Sequence, residues 1–183
     1  MTMRRAGSWK GWAGALALTG LAASLSLAPA PTRAADAASL EARVQRLEDI
    51  EAIRTVLFDY GRYLDRRDYA DYGALFAKDG EWIGGFPCGK GPAAIQACMD
   101  KTLGPASGTV WTSHHHLLTN VIIEVHGDTA TAWSRWSFVA PSDKDTPVVL
   151  YSGHYDDQLV REDGRWKFQR RTVAADIPGP KKK

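Results

Sequence analysis

The chain predicts an α+β domain: three helices followed by a curved antiparallel sheet that closes on them as a cone-shaped α+β barrel with an internal pocket. Three observations carry that reading. Apolar residues recur at three- and four-residue intervals from Leu40 to Leu64, with charged residues between them, which is the pattern of an amphipathic helix. From His114 onward the period changes from helical to alternating, as strands require. Turn residues at His126-Gly127-Asp128, Pro141 to Pro147 and Glu162 to Arg165 then cut this second half into hairpins. At 183 residues and 44% apolar composition, the chain suffices for one cored domain and is too short for two of ordinary size.

The first ten residues are cationic and contain no acid, and they run into the apolar stretch from Gly14 to Leu27 and then to Thr32-Arg33-Ala34. A basic start, an apolar middle and small residues at the end describe a cleavable export signal over 1–34. The competing reading, an uncleaved anchor, is disfavoured because the run is short, broken by Gly and Ser, and followed by prolines. A periplasmic or secreted protein without a stable membrane anchor is therefore expected, with its domain over 35–178 and a basic tail over 179–183. Removing 1–34 takes Arg4, Arg5, Lys10 and Arg33 from the 23 basic residues, leaving 19 against 21 acids. The basic character belongs to the leader, and no basic stripe interleaved with aromatics remains to suggest nucleic acid.

The first helix presents one continuous inward stripe: Leu40, Val44, Leu47, Ile50, Ile53, Leu57, Tyr60 and Leu64. Asp68 then predicts the N-cap of a short second helix with Asp71 in its first turn, Tyr72, Leu75 and Phe76 buried, and Asp79-Gly80 as its stop. Glu81-Trp82-Ile83 reads as a short strand and Gly84 to Gly89 as a loop. Pro92 suits the first turn of a third helix, Ala93 to about Leu103, whose inner face holds Ile95, Cys98 or Met99, and Leu103. Cys88 and Cys98 are equally compatible with a disulfide and with two thiols. Gly104 to Thr109 connects to the hairpins: His114 to Val125 with Thr129 to Val139, then Val148 to Arg161 with Trp166 to Val173.

The candidate chemistry sits at His114-His115-His116, where the sheet begins. Alternation sends His114 and His116 to one face together with Asn120, and His115 to the other. Histidine exchanges protons readily near neutral pH, so an inward one in a partly polar cavity is a candidate acid or base. Tyr60 lies on the inward stripe, and Asp65 falls where the first helix should end. Trp82, Asn120, Ser134, Trp136 and Tyr155 are candidates to contact a bound molecule; Trp133 and Trp136 have opposite parity, so one at most faces the cavity. A metal site would have to combine His114 and His116 with His154 or Asp156, and neighbouring strand histidines often ligate nothing, so neither metal nor cofactor is expected.

Leu40-Glu41-Ala42-Arg43, Asp49 to Arg54, Tyr60, Leu64-Asp65, Leu75 to Gly80, His116 to Asn120, Gly127 to Ala130 and Arg161 to Trp166 together give the chain a specific likeness. It resembles the SnoaL-like branch of the nuclear transport factor 2-like superfamily, over essentially the whole domain. The resemblance implies the fold; it leaves the reaction open, because the superfamily holds dehydratases, isomerases, epoxide hydrolases, cyclases and non-catalytic binders. The bile-acid dehydratase and scytalone dehydratase types look most similar. Their inward Tyr, helix-end Asp and strand-start His carry over to Tyr60, Asp65 and His116, with His115 as the substitute if the strand register shifts by one. Two departures limit the likeness. The second histidine of scytalone dehydratase falls at Ser134, and the ketosteroid isomerase base falls at Gly84-Gly85. Relatives commonly dimerise through the open face of the sheet, which implies a homodimer. The expected function is a cofactor-independent lyase or isomerase acting on a small apolar or polycyclic hydroxy or carbonyl compound; the alternative is a binding module for an apolar molecule.

Overall fold

A computed structural model describes residues 33–107 and 113–177, with side chains from residue 39 onward. The export signal, except for its last two residues, and the basic tail lie outside that range. Three helices, α1 (Arg33–Asp65), α2 (Tyr69–Ala74) and α3 (Pro92–Leu103), pack on a five-stranded curved sheet. The strands are β1 (Phe76–Ile83), β2 (His115–His126), β3 (Thr129–Pro141), β4 (Pro147–Glu162) and β5 (Arg165–Ile177), in spatial order β1-β5-β4-β3-β2. No helix among the described residues is long and apolar enough to cross a membrane.

The expected hairpins form where turn chemistry demands them. Asp163 and Gly164 both take positive φ, the conformation a two-residue type I′ turn requires. Four strands are antiparallel, but β1 runs parallel to β5, so the sheet is mixed. The predicted stop at Asp79-Gly80 is instead an irregularity inside β1, which begins as early as Phe76. A side chain on Gly80 would lie 2.6 Å from the Phe168 carbonyl oxygen. The glycine thus lets the strand pass close to β5 rather than ending a helix.

The core fills the concave face: Ile53, Leu57 and Tyr60 from α1, Tyr69 and Tyr72 from α2, Ile95 and Met99 from α3, and Phe76, Leu159, Trp166 and Phe168 from the sheet. On α3 Met99 is the inward residue, whereas Leu103 is exposed and Cys98 is joined to Cys88 in a disulfide. The predicted continuous stripe of α1 divides. Leu40, Val44 and Leu47 are exposed, and burial begins only at Asp49 and Ile53. The reason is helical geometry. Val44, Leu47, Ile50 and Ile53 follow one another at steps of three, and each such step turns the side chain back by about 60°, so Val44 and Ile53 end on opposite sides.

Candidate functional site

α1 crosses the open side of the sheet beside β2, and between them lies a cavity of about 340 Å³. Leu57, Tyr60, Gly61 and Asp65 line it from the helix, His116 and Leu118 from β2, Trp136 from β3 and Tyr155 from β4. Phe58, Arg62, His115 and Leu117 form its rim. Two hollows of comparable size lie elsewhere, one against Trp166 and one on the outer sheet face. Neither contains a histidine, so chemistry rather than volume singles out the first.

The backbone delivers Asp65 and His116 to each other. Asp65 is the last residue of α1 and is buried. Its Oδ2 accepts the backbone N–H of His116 at 2.8 Å, and its Oδ1 lies 2.6 Å from the imidazole Nδ1. One carboxylate therefore fixes both the main chain and the ring. When Asp65 is ionised and the ring is neutral, Nδ1 carries the proton and Nε2 the lone pair, the tautomer a general base needs. Phe138 at 5.0 Å and Trp136 at 6.3 Å, centroid to centroid, flank the imidazole.

Tyr60 forms the deeper wall. Its oxygen accepts the Trp82 indole N–H at 2.9 Å, and its hydroxyl also interacts with that of Tyr72. Tyr60 and Tyr155 meet edge to face at 5.4 Å. Burial pushes the phenol of Tyr60 up, and that of Tyr155 well up, so both remain protonated donors across the physiological range. Behind them lies a cation that sequence reasoning missed. Arg171 is fully buried, bound to Asp157 through two 2.8 Å hydrogen bonds, with its guanidinium 3.9 Å from the centre of the Tyr60 ring and 4.0 Å from that of Tyr155. Burial alone would weaken its charge, but the Asp157 carboxylate holds the guanidinium more firmly protonated than usual. A cation over two phenol rings is held by their quadrupoles and polarises them in turn.

Of the predicted residues, Tyr60, Asp65, His115, His116, Trp136 and Tyr155 meet at this cavity, with His115 only at the rim. Trp82 stands one layer behind, touching the cavity through Tyr60. Ser134 is buried under the sheet opposite Tyr155 and does not line the cavity. Asn120 is a correction. The β2–β3 register shifts between Thr119 and Ile122, Asn120 takes φ 53°, and its side chain is exposed. The extra residue of a bulge reverses alternation beyond it, so Val121 and Ile123 turn inward in place of Asn120 and Ile122. Trp133 lies on the outer face and Trp136 on the inner, as parity required. His154 also faces outward, hydrogen-bonded to Asp176, so it cannot join His114 and His116 across the sheet.

Gly153 makes the Trp136 wall possible. A Cβ there would fall 1.9 Å from the Ala174 carbonyl oxygen and 2.9 Å from the Trp136 ring. The bare backbone lets the indole lie over β4 and donate toward the carbonyls of His154 and Ala174.

The SnoaL-like domain model matches residues 45–172, a span that runs from within α1 into β5. The chain belongs to the SnoaL-like family. A nuclear transport factor 2-like protein with a cystatin-like fold from Novosphingobium aromaticivorans is 30% identical, with 75% of this chain and 88% of that one covered at a TM-score of 0.66. A second protein from the same organism, provisionally named a scytalone dehydratase, is 26% identical over 72% of this chain and 87% of its own, at a TM-score of 0.58. A Mycobacterium tuberculosis protein described as of unknown function shares the fold at 24% identity, with 72% and 74% covered and a TM-score of 0.61. No curated protein matches the chain. SnoaL-like membership accounts for the helices, the curved sheet and the hollow between them together, and is consistent with a small-molecule role.

Proposed function

We propose that this SnoaL-like protein is an exported, cofactor-independent lyase or isomerase that acts on a small apolar or polycyclic hydroxy or carbonyl compound. One observation carries the reading: Asp65 grips His116 at both its backbone N–H and Nδ1, and His116 lines an apolar cavity together with two protonated phenols. In the proposed cycle Nε2 takes a proton from the carbon beside a carbonyl. The electron pair moves into the carbonyl, and a phenol hydrogen bond from Tyr60 or Tyr155 stabilises the oxygen that gains charge. The imidazolium, held by Asp65, then returns its proton. Delivered to a departing hydroxyl it completes a dehydration with loss of water; delivered to another carbon it completes an isomerisation.

The test is a panel of polycyclic and monocyclic substrates: β-hydroxy ketones assayed for loss of water, and β,γ-unsaturated ketones assayed for double-bond migration. With an accepted substrate, His116→Ala and Asp65→Asn should each lower kcat by about 100-fold or more without unfolding the domain. Undiminished turnover in both variants would reject the assignment. Ligand-induced thermal stabilisation with no turnover of any compound would favour the binding module instead.

A further inference from the structure

The outer half of α1 carries an apolar stripe that its own domain does not cover. Leu40, Val44 and Leu47 are 58%, 45% and 63% exposed, on the side of the helix opposite Ile53, which is fully buried against the sheet. Their spacing of four and three residues is that of a heptad seam, with Val44 at position a and Leu40 and Leu47 at position d. A β-branched residue at a with leucine at d is the combination that favours two parallel strands. The flanking charges agree. In that frame Arg43 takes position g and Glu48 takes position e, and a parallel pair sets each g beside the e five residues on in the other helix. Arg43 of one copy thus faces Glu48 of the other, twice per pair. An antiparallel pair would set Glu48 near Glu41 of the other copy, like charge against like.

We infer that α1 associates with a second copy of this chain as a short parallel two-stranded coil along Leu40, Val44 and Leu47. The placement suits a two-fold axis beside α1, because the sheet lies on the far side of each helix and both domains point outward. The seam is brief: Glu51, at the next a position, is engaged with Arg54. A seam of three apolar positions holds only weakly on its own, so the association should be concentration-dependent.

Sedimentation velocity on the protein as its host processes it gives the test. The wild type should dimerise reversibly, and Leu47→Glu should raise the dissociation constant about tenfold or more, since each dimer loses two buried leucines. Because that side chain is exposed in the single copy, thermal unfolding of the monomer should not change. Arg43→Glu should weaken the dimer, and the reciprocal pair Arg43→Glu with Glu48→Arg should restore it. A Val44→Cys variant should form a disulfide between copies on mild oxidation. The inference is overturned if the wild type stays monomeric at the highest attainable concentration. It is equally overturned by an assembly indifferent to Leu47→Glu, which would point to the outer sheet face, or by a reciprocal pair that fails to recover.

Discussion

Two acid–base pairs share the concave face of this sheet, and they differ in what is left over. Asp157 spends both oxygens on Arg171, and neither side chain reaches solvent. Asp65 also spends both oxygens on His116, but one goes to the main chain, the ring keeps a second nitrogen, and the residue lines the cavity. The first pair is closed: guanidinium stays charged at any pH a protein survives, so it can polarise its neighbours but cannot trade protons. The second is open, because an imidazole bound through one nitrogen keeps another that can take up and give back a proton. Ion pairs of similar geometry therefore divide into scaffold and candidate chemistry according to the base they hold and the face they leave uncovered.

Breaking each pair should separate those roles. Asp157→Ala strands a buried cation between Tyr60, Tyr155 and Phe168 and should cost about 3–5 kcal/mol of unfolding free energy in urea titration. Asp65→Asn, which leaves a side chain able to accept the His116 N–H, should cost clearly less while lowering kcat about 100-fold or more. If the two losses of stability were equal, the distinction between closed and open pair would fail. A smaller effect should follow at the wall between them. Gly153→Ala forces a methyl against the Ala174 carbonyl and the Trp136 ring, and should destabilise by about 1–3 kcal/mol. Red-shifted Trp fluorescence should accompany it as the indole is pushed toward water.

The sequence made the elements legible, and one half of that comparison with them. Tyr60, Asp65 and His116 could be named because period and helix length put each near an end or on an inward stripe. Arg171 and Asp157 went unread because each has a like-charged neighbour, Arg170 and Asp156, and doublets of charge on a strand look like solvated surface. The signal was present in Tyr155-x-Asp157-x-Leu159, where alternation sends all three inward. Asn120 failed for the opposite reason: strict alternation was assumed across a bulge that no glycine announces. The α1 stripe failed because intervals of three and four were counted without summing their rotation. Local period is visible in sequence; its accumulated phase, and any inserted residue that resets it, depends on what the far strand or helix will pair with.

The smallest effect extends the contrast to a third carboxylate, at the other end of the α1 contact. Asp49 is buried beneath Trp166 and accepts from Arg161 at 2.6 Å, Gln45 at 3.1 Å and the Trp166 indole at 3.2 Å. Burial works to raise its pKa, yet the hydrogen bonds from Arg161, Trp166 and Gln45 outweigh that and hold the carboxyl below the ordinary range. A carboxyl with a depressed folded-state value binds its proton more weakly folded than unfolded, so its contribution to stability is complete above the unfolded value, near pH 4. That contribution fades as pH falls through the lower folded value. Asp49→Asn should therefore flatten the acid limb of the stability curve below about pH 4 and leave a nearly constant deficit above it. Urea midpoints measured from pH 3 to 7 for both proteins check this, and parallel curves across the whole range would show that Asp49 contributes no proton linkage.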